Sequence, residues 1–200
     1  MQISVTNLKS MSKIVIFASG SGTNAENIIR YFSNSKNFTI VSLYCNSANA
    51  YVVERVKSYN IPVHIFDRNF MNNPDGLLKS LTAEGADIIV LAGFLWLMPD
   101  IITEKFAGRI VNIHPSLIPK FCGKGMYGMK VHEAVVAAGE KCSGITIHYV
   151  NGRYDEGDII FQAECPVTPD DSAEDVAQKV HALEYEYYPA IIEKTFSSSI

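Results

Sequence analysis

Between Ile14 and about Gly139, short continuous apolar runs alternate with stretches whose apolar residues recur every three or four positions. The runs at 13–18, 39–46, 63–67, 87–92 and 109–113 are apolar at successive positions, as strands buried on both faces require. The spaced stretches at 25–33, 51–59, 75–84 and 99–106 predict helices. Gly85 and Gly108 stand where helix C-caps are expected, and Pro99 suits a first helical turn. A mostly parallel sheet with helices on both faces follows.

After Gly139 the rhythm changes. Residues 143–150, "SGITIHYV", alternate at period two, and "DIIFQAECPV" at 158–167 follows after a turn, which predicts a hairpin extending the sheet. A last long helix is expected to start near Ser172, where Ser172 and Asp175 have capping spacing. Val176, Val180, Leu183 and Tyr187 keep one apolar face along it, and Pro189 is expected to kink or break it. No internal repeat, low-complexity tract or linker interrupts the pattern. The expected fold class is α/β: a single domain with a mostly parallel twisted Rossmann-like sheet, a C-terminal hairpin and a long helix. Residues 1–12 read as a short extension and 13–196 as the domain.

Composition narrows the class. A hydrophobic share of 48% and a charged share of 19% describe an ordinary globular chain. A net charge of -4 offers no electrostatic attraction for nucleic acid or an anionic membrane. Cys45, Cys122, Cys142 and Cys165 are scattered without a C-x-x-C pair, which argues against structural zinc and suits a reducing compartment. The longest apolar run, 88–99, is about half the ~20 residues that a membrane span needs. The amino terminus has no long apolar segment of the signal-peptide kind. A cytoplasmic protein acting on small molecules is expected.

The first candidate chemistry is "ASGSGTN" at 18–24, placed after one strand and before a helix. Gly20-x-Gly22-x-x-Ala25 fits the weaker dinucleotide fingerprint, but no Asp or Glu occurs between Glu26 and Glu54 to bind a ribose. Thr23 and Glu26 have capping-box spacing, so the helix is expected to begin at Thr23 with amides of Gly22, Thr23 and Asn24 near the loop. Helix-start amides favour a lone phosphate, and the Thr23 and Asn24 side chains could add donors.

The second is "RIVNIHPSLIPKFCGKG" at 109–125. Asn112 and His114 are two apart on a strand and share a face. Pro115 ends that strand, placing both near the carboxyl edge where open α/β sheets bind ligands. A proline- and glycine-punctuated loop follows as a wall or lid. Asp155, in the acidic turn "YDEGD", is within reach of His114 in such a fold. An acid beside an imidazole raises its pKa from the usual ~6.5 and keeps it charged.

These residues, together with "VLAGF", "HEAV", "GITIHYV", "DEGDIIFQA" and "EYEYYP", carry a family likeness. Over about 13–194 the chain resembles the phosphoribosylglycinamide formyltransferases, folate-dependent enzymes of purine (IMP) biosynthesis. The resemblance implies that 10-formyltetrahydrofolate is the co-substrate, that its formyl group passes to the amine of 5'-phosphoribosylglycinamide, and that no metal is needed. It implies Gly22, Thr23 and Asn24 at the 5'-phosphate and Glu184 at the ribose hydroxyls. Leu95, Trp96, Leu97 and Met98 would line the pterin pocket, with Asn112 and backbone around Asp155 also meeting the folate. Asn112, His114 and Asp155 fall on the catalytic positions. There Asn112 and a protonated His114 would stabilise the oxyanion, with Asp155 keeping His114 charged. Trp96 departs from the basic residue that many relatives carry beside the folate.

Two related activities compete with this reading, the first sharing the fold and the Asn–His–Asp set and the second the folate half. A formyltetrahydrofolate hydrolase uses water as acceptor, usually carries an additional amino-terminal domain, and tends to follow its histidine with His-Ser instead of Pro115-Ser116. Methionyl-tRNA formyltransferase adds an RNA-binding domain, which an acidic chain of this length does not suggest. A non-catalytic nucleotide-binding module and a monomer or homodimer of the transferase complete the expectations.

Overall fold

The computed structural model of the chain describes residues 11–197, so the expected extension at 1–12 lies outside the described residues up to position 10. The strands are β1 (Ser12–Ala18), β2 (Phe38–Cys45), β3 (Val63–Ile65), β4 (Ile88–Leu91), β5 (Ile110–His114), β6 (Cys142–Tyr149) and β7 (Ile159–Pro166). They form one sheet in the order β3-β2-β1-β4-β5-β6-β7. Strands β1 to β5 are parallel, and the β6–β7 hairpin adds antiparallel to β5. The helices are α1 (Thr23–Phe32), α2 (Tyr51–Arg55), α3 (Arg68–Asn72), α4 (Lys79–Glu84), α5 (Asp100–Lys105), α6 (Met129–Ala137) and α7 (Ala173–Ser197).

Successive residues of β1 point to opposite faces of the sheet, and both faces are covered. Ile14, Ile16 and Ala18 pack with Ile28 of α1 and with Val180 and Ile192 of α7. Val15 and Phe17 pack with Leu77, Leu81 and Ile102 on the other side. All of these are fully buried, and each large side chain contributes roughly 1.5–3 kcal/mol through removal from water. This is why the central strands read as unbroken apolar runs.

The structure differs from the sequence reading at five elements. Strand β3 has only three residues. The helix expected at 75–84 is split, because Gly76 breaks helical backbone at φ -91°, ψ -107° before α4 begins. Two short helices, α3 and α6, carry too little periodic signal to be anticipated. Finally, α7 runs through Pro189 without a break.

The reason lies in another element. Proline lacks the N–H that would bond the carbonyl four residues back, at Tyr185. That carbonyl instead accepts from Asn27 Nδ2 of α1 at 2.9 Å. We expect Asn27→Ala to lower stability by about 1 kcal/mol, read as a lower urea midpoint with unchanged slope.

Further along the same helix, the buried Tyr188 hydroxyl donates to the carbonyls of Leu91 (2.9 Å) and Val111 (3.2 Å). This ties α7 to the last residue of β4 and the second residue of β5. Glu184, one turn earlier, is thereby set at the carboxyl edge of the sheet.

Candidate active site at the carboxyl edge of the sheet

The loops after β1, β4 and β5 open on one edge and surround a cavity of about 620 Å³. Gly22, Thr23, Asn24, His114, Asp155 and Glu184 all line it. The sequence-distant candidates therefore meet in one place.

The glycine loop is shaped by close approach. Gly22 has φ +76°, and a Cβ there would lie 2.3 Å from Val52 Cγ2. Helix α1 begins at Thr23 as expected, but the capping box does not form: no side chain caps the first turn. Glu26 instead accepts from Arg55 Nη1 (2.7 Å) and the Tyr59 hydroxyl (2.9 Å), and the Arg55 bond leads in holding its carboxyl below the usual range. Arg55 Nε also donates to the Ser21 carbonyl at 2.8 Å, pinning the loop. The first-turn amides thus have no side chain competing with a ligand anion.

Asn24 is oriented differently from the expectation. Its Nδ2 donates to Glu184 Oε2 at 3.0 Å, which directs the side chain toward the carboxylate. The buried Glu184 also accepts from His181 Nδ1 at 2.7 Å, and this bond raises the His181 pKa.

Beside the same cavity stands a chain of polar groups. The Phe121 carbonyl can only accept, so the 2.8 Å contact from His114 Nε2 identifies Nε2 as protonated. His114 Nδ1 faces Asp155 Oδ2 at 3.5 Å. Asp155 also receives the Gly123 N–H at 2.9 Å, and its Oδ1 faces His148 Nε2 at 3.6 Å. His148 Nδ1 donates to the Tyr149 carbonyl (2.7 Å), and its Nε2 lies 3.1 Å from Asn112 Nδ2. The second N–H of Asn112 is then free for a ligand.

Two local devices hold this chain. Thr146 Oγ1 donates to the Ser116 carbonyl (2.7 Å) and accepts from the Ile118 N–H (3.0 Å), locking the loop that presents Phe121. Asp155 sits at φ +56°, a left-handed backbone uncommon outside glycine, in a turn where Gly157 passes the Tyr149 carbonyl too closely for any Cβ.

The electrostatics correct one expectation. Burial lowers the His114 pKa, and the pull of Asp155 in the other direction is smaller. Burial likewise pushes Asp155 up, but His148, His114 and the Gly123 N–H together outweigh it and hold the carboxyl below its usual range. The free protein therefore pairs an ionised Asp155 with a neutral His114, because one contact at 3.5 Å does not offset loss of solvent around the imidazolium. An NMR titration should find His114 protonating below pH 6.5, and lower still in Asp155→Asn, where the upward pull is removed.

The folate-side expectations separate. Leu95 lines the cavity, its N–H held by Ser19 Oγ at 3.0 Å. Leu97 is exposed beside it. Met98 is buried in the core and gives a ligand no side-chain surface. Trp96 packs edge-on against Phe66 and tilted against Phe94. Sequence reasoning missed His148, His132 and His181. His148 lies in the period-two "GITIHYV", but its role depends on the Asn112↔His148 register across β5 and β6.

The formyl transferase family profile matches residues 12–192. Phosphoribosylglycinamide formyltransferase of Haemophilus influenzae is 38% identical over 188 residues, covering 92% of this chain and 86% of that protein. The Bacillus subtilis phosphoribosylglycinamide formyltransferase is 33% identical over 189 residues, covering 92% and 94%. The crystal structure of phosphoribosylglycinamide formyltransferase from Bacillus halodurans superposes with a TM-score of 0.84 at 36% identity, covering 94% of this chain and 97% of that one.

Proposed function

The chain belongs to the formyl transferase family, and from that premise we propose that it moves the formyl group of 10-formyltetrahydrofolate onto the amine of 5'-phosphoribosylglycinamide, in purine biosynthesis. It is a one-carbon transferase. The observation that carries the reading is one shared cavity, lined both by an uncapped helix start and by Asn112, His114 and Asp155. A phosphorylated sugar bearing an amine matches that lining.

The geometry supports the following roles. The amides at Gly22, Thr23 and Asn24 hold the phosphate, and Glu184 accepts from the ribose hydroxyls. The folate enters past Leu95, with Trp96, Leu97 and the backbone at Met98 forming that wall, and meets Asn112 and the backbone at Asp155. As the amine attacks the formyl carbon, the free N–H of Asn112 faces the developing oxyanion, a donation worth about 3 kcal/mol in such sites. Neutral His114 has a lone pair at Nδ1 to receive the proton that the amine loses. The imidazolium so formed is stabilised by Asp155 and by the Phe121 carbonyl, and returns the proton from Nδ1 toward N10 as the folate leaves.

The same reading makes 13–196 one formyltransferase domain after a short extension. It also describes a cytoplasmic enzyme of small-molecule substrates, monomeric or homodimeric, that needs neither metal nor nucleic acid. Among the described residues no helix is long and apolar enough to cross a membrane.

The test mixes the protein with 10-formyltetrahydrofolate and follows loss of the formyl-folate with and without the ribonucleotide. Loss should require the ribonucleotide. Equal loss without it would mean a hydrolase and overturn the assignment.

A further inference from the structure

Arg68 stands over Trp96, beside the proposed folate wall, and takes no part in the roles assigned above. Arg68 opens α3, is exposed, and has no ion-pair partner among the described residues. Its guanidinium carbon lies 4.3 Å from the centre of the Trp96 ring. The indole is itself fixed, 5.9 Å and edge-on to Phe66 and 6.3 Å from Phe94, a residue that also lines the cavity. On either side of it Leu95 and Leu97 leave 45% and 40% of their surface exposed. The neighbouring Asp67 is engaged in capping α3, accepting from the Phe70 N–H at 2.8 Å.

The result is an apolar shelf that starts at the cavity and ends in a positive charge. A guanidinium held over an indole face still has N–H groups to offer, and a guanidinium can meet a carboxylate through two hydrogen bonds. Stacking also restricts the long side chain beforehand, so less freedom is lost when an anion arrives. A lysine would offer neither feature.

We propose that Arg68, held on Trp96, receives a carboxylate of the glutamyl tail of the formyl-folate, and so acts as a specificity residue for that co-substrate. The inference rests on the formyl-transfer reading. A folate has flat aromatic rings, the benzoyl ring among them apolar, and is anionic at its far end; the shelf presents an apolar surface and then a charge in the same order. Lys124, which lines the cavity on the glycine-rich loop, is the competing cation.

The test compares 10-formyltetrahydrofolate with 10-formyltetrahydropteroate, which lacks the glutamate, on the unaltered enzyme, Arg68→Ala, Arg68→Lys and Lys124→Ala. Arg68→Ala should raise KM for the folate about tenfold, as loss of a charge-assisted bond does. It should leave KM for the pteroate and for the ribonucleotide unchanged, with Arg68→Lys restoring only part of the loss. An unchanged folate KM in Arg68→Ala overturns the proposal, as does an equal rise with both co-substrates, which would mark a structural effect through Trp96. A glutamate-dependent rise seen only in Lys124→Ala assigns the tail to the loop and overturns it too. Failure of the formyl-transfer reading would be seen separately, as no ribonucleotide-dependent loss of formyl-folate by the unaltered protein.

Discussion

Asp155→Asn is expected to lower kcat about a thousandfold, within the range that positioned acid–base groups contribute, while leaving ribonucleotide affinity unchanged. The substitution removes a charge and little else. An amide oxygen at this position still accepts the Gly123 N–H that Asp155 now takes at 2.9 Å, so the loop stays in place. What disappears is the counter-charge 3.5 Å from His114 Nδ1 and 3.6 Å from His148 Nε2. His114 is already disfavoured as a cation by burial, so an imidazolium formed during proton transfer would have only the Phe121 carbonyl for support. The proposed phosphate cradle is formed by the loop at Gly22, Thr23 and Asn24 and does not depend on that charge. Steady-state kcat at saturating substrates, paired with calorimetric titration of the ribonucleotide, separates the two effects. A near-normal kcat would remove Asp155 from the mechanism.

Gly22→Ala is expected to be the most damaging change in the phosphate cradle. The new Cβ would stand 2.3 Å from Val52 Cγ2 and 2.8 Å from Val52 Cα, which is backbone and cannot swing aside. Alanine at φ +76° is strained as well. Left-handed backbone costs a non-glycine residue roughly 1–2 kcal/mol, and overpacking in a tight region adds typically about 1–3 kcal/mol. Helix α2 must move, and with it the Arg55 strap to Ser21 and Glu26. We expect a fall of several degrees in Tm and loss of most ribonucleotide affinity. Gly20→Ala is the control: nothing lies within 4 Å of its would-be Cβ, so its Tm should stay close to that of the unaltered protein. Similar Tm values for the two variants would show that the loop yields more than its contacts imply.

Much of the architecture can be read from the residues alone. Apolar runs buried on both faces, with glycines at φ +68° and +70° after α4 and α5, mark the parallel core. The switch to period two marks the hairpin. The candidate site was also readable in part, because Asn112, His114 and the glycine loop each sit just at or beyond a strand's carboxyl end. Other features could not be read locally. Glu26 has capping-box spacing, yet Arg55 and Tyr59 claim it from α2 and the turn after it. Pro189 carries a helix-breaking signal, yet Asn27 satisfies the carbonyl it leaves open.

The sequence by itself determined which elements form, their order, and which chemically capable side chains stand at their ends, since these depend on periodicity and on neighbours along the chain. Tertiary structure alone decided how those side chains act on one another. Pairing register placed His148 opposite Asn112, and the hairpin turn carried Asp155 to His114. The depth of burial then left His114 neutral despite its acidic neighbour. Loss of solvent and the position of a counter-charge are set by segments far apart in the chain, and no local pattern of residues encodes their balance.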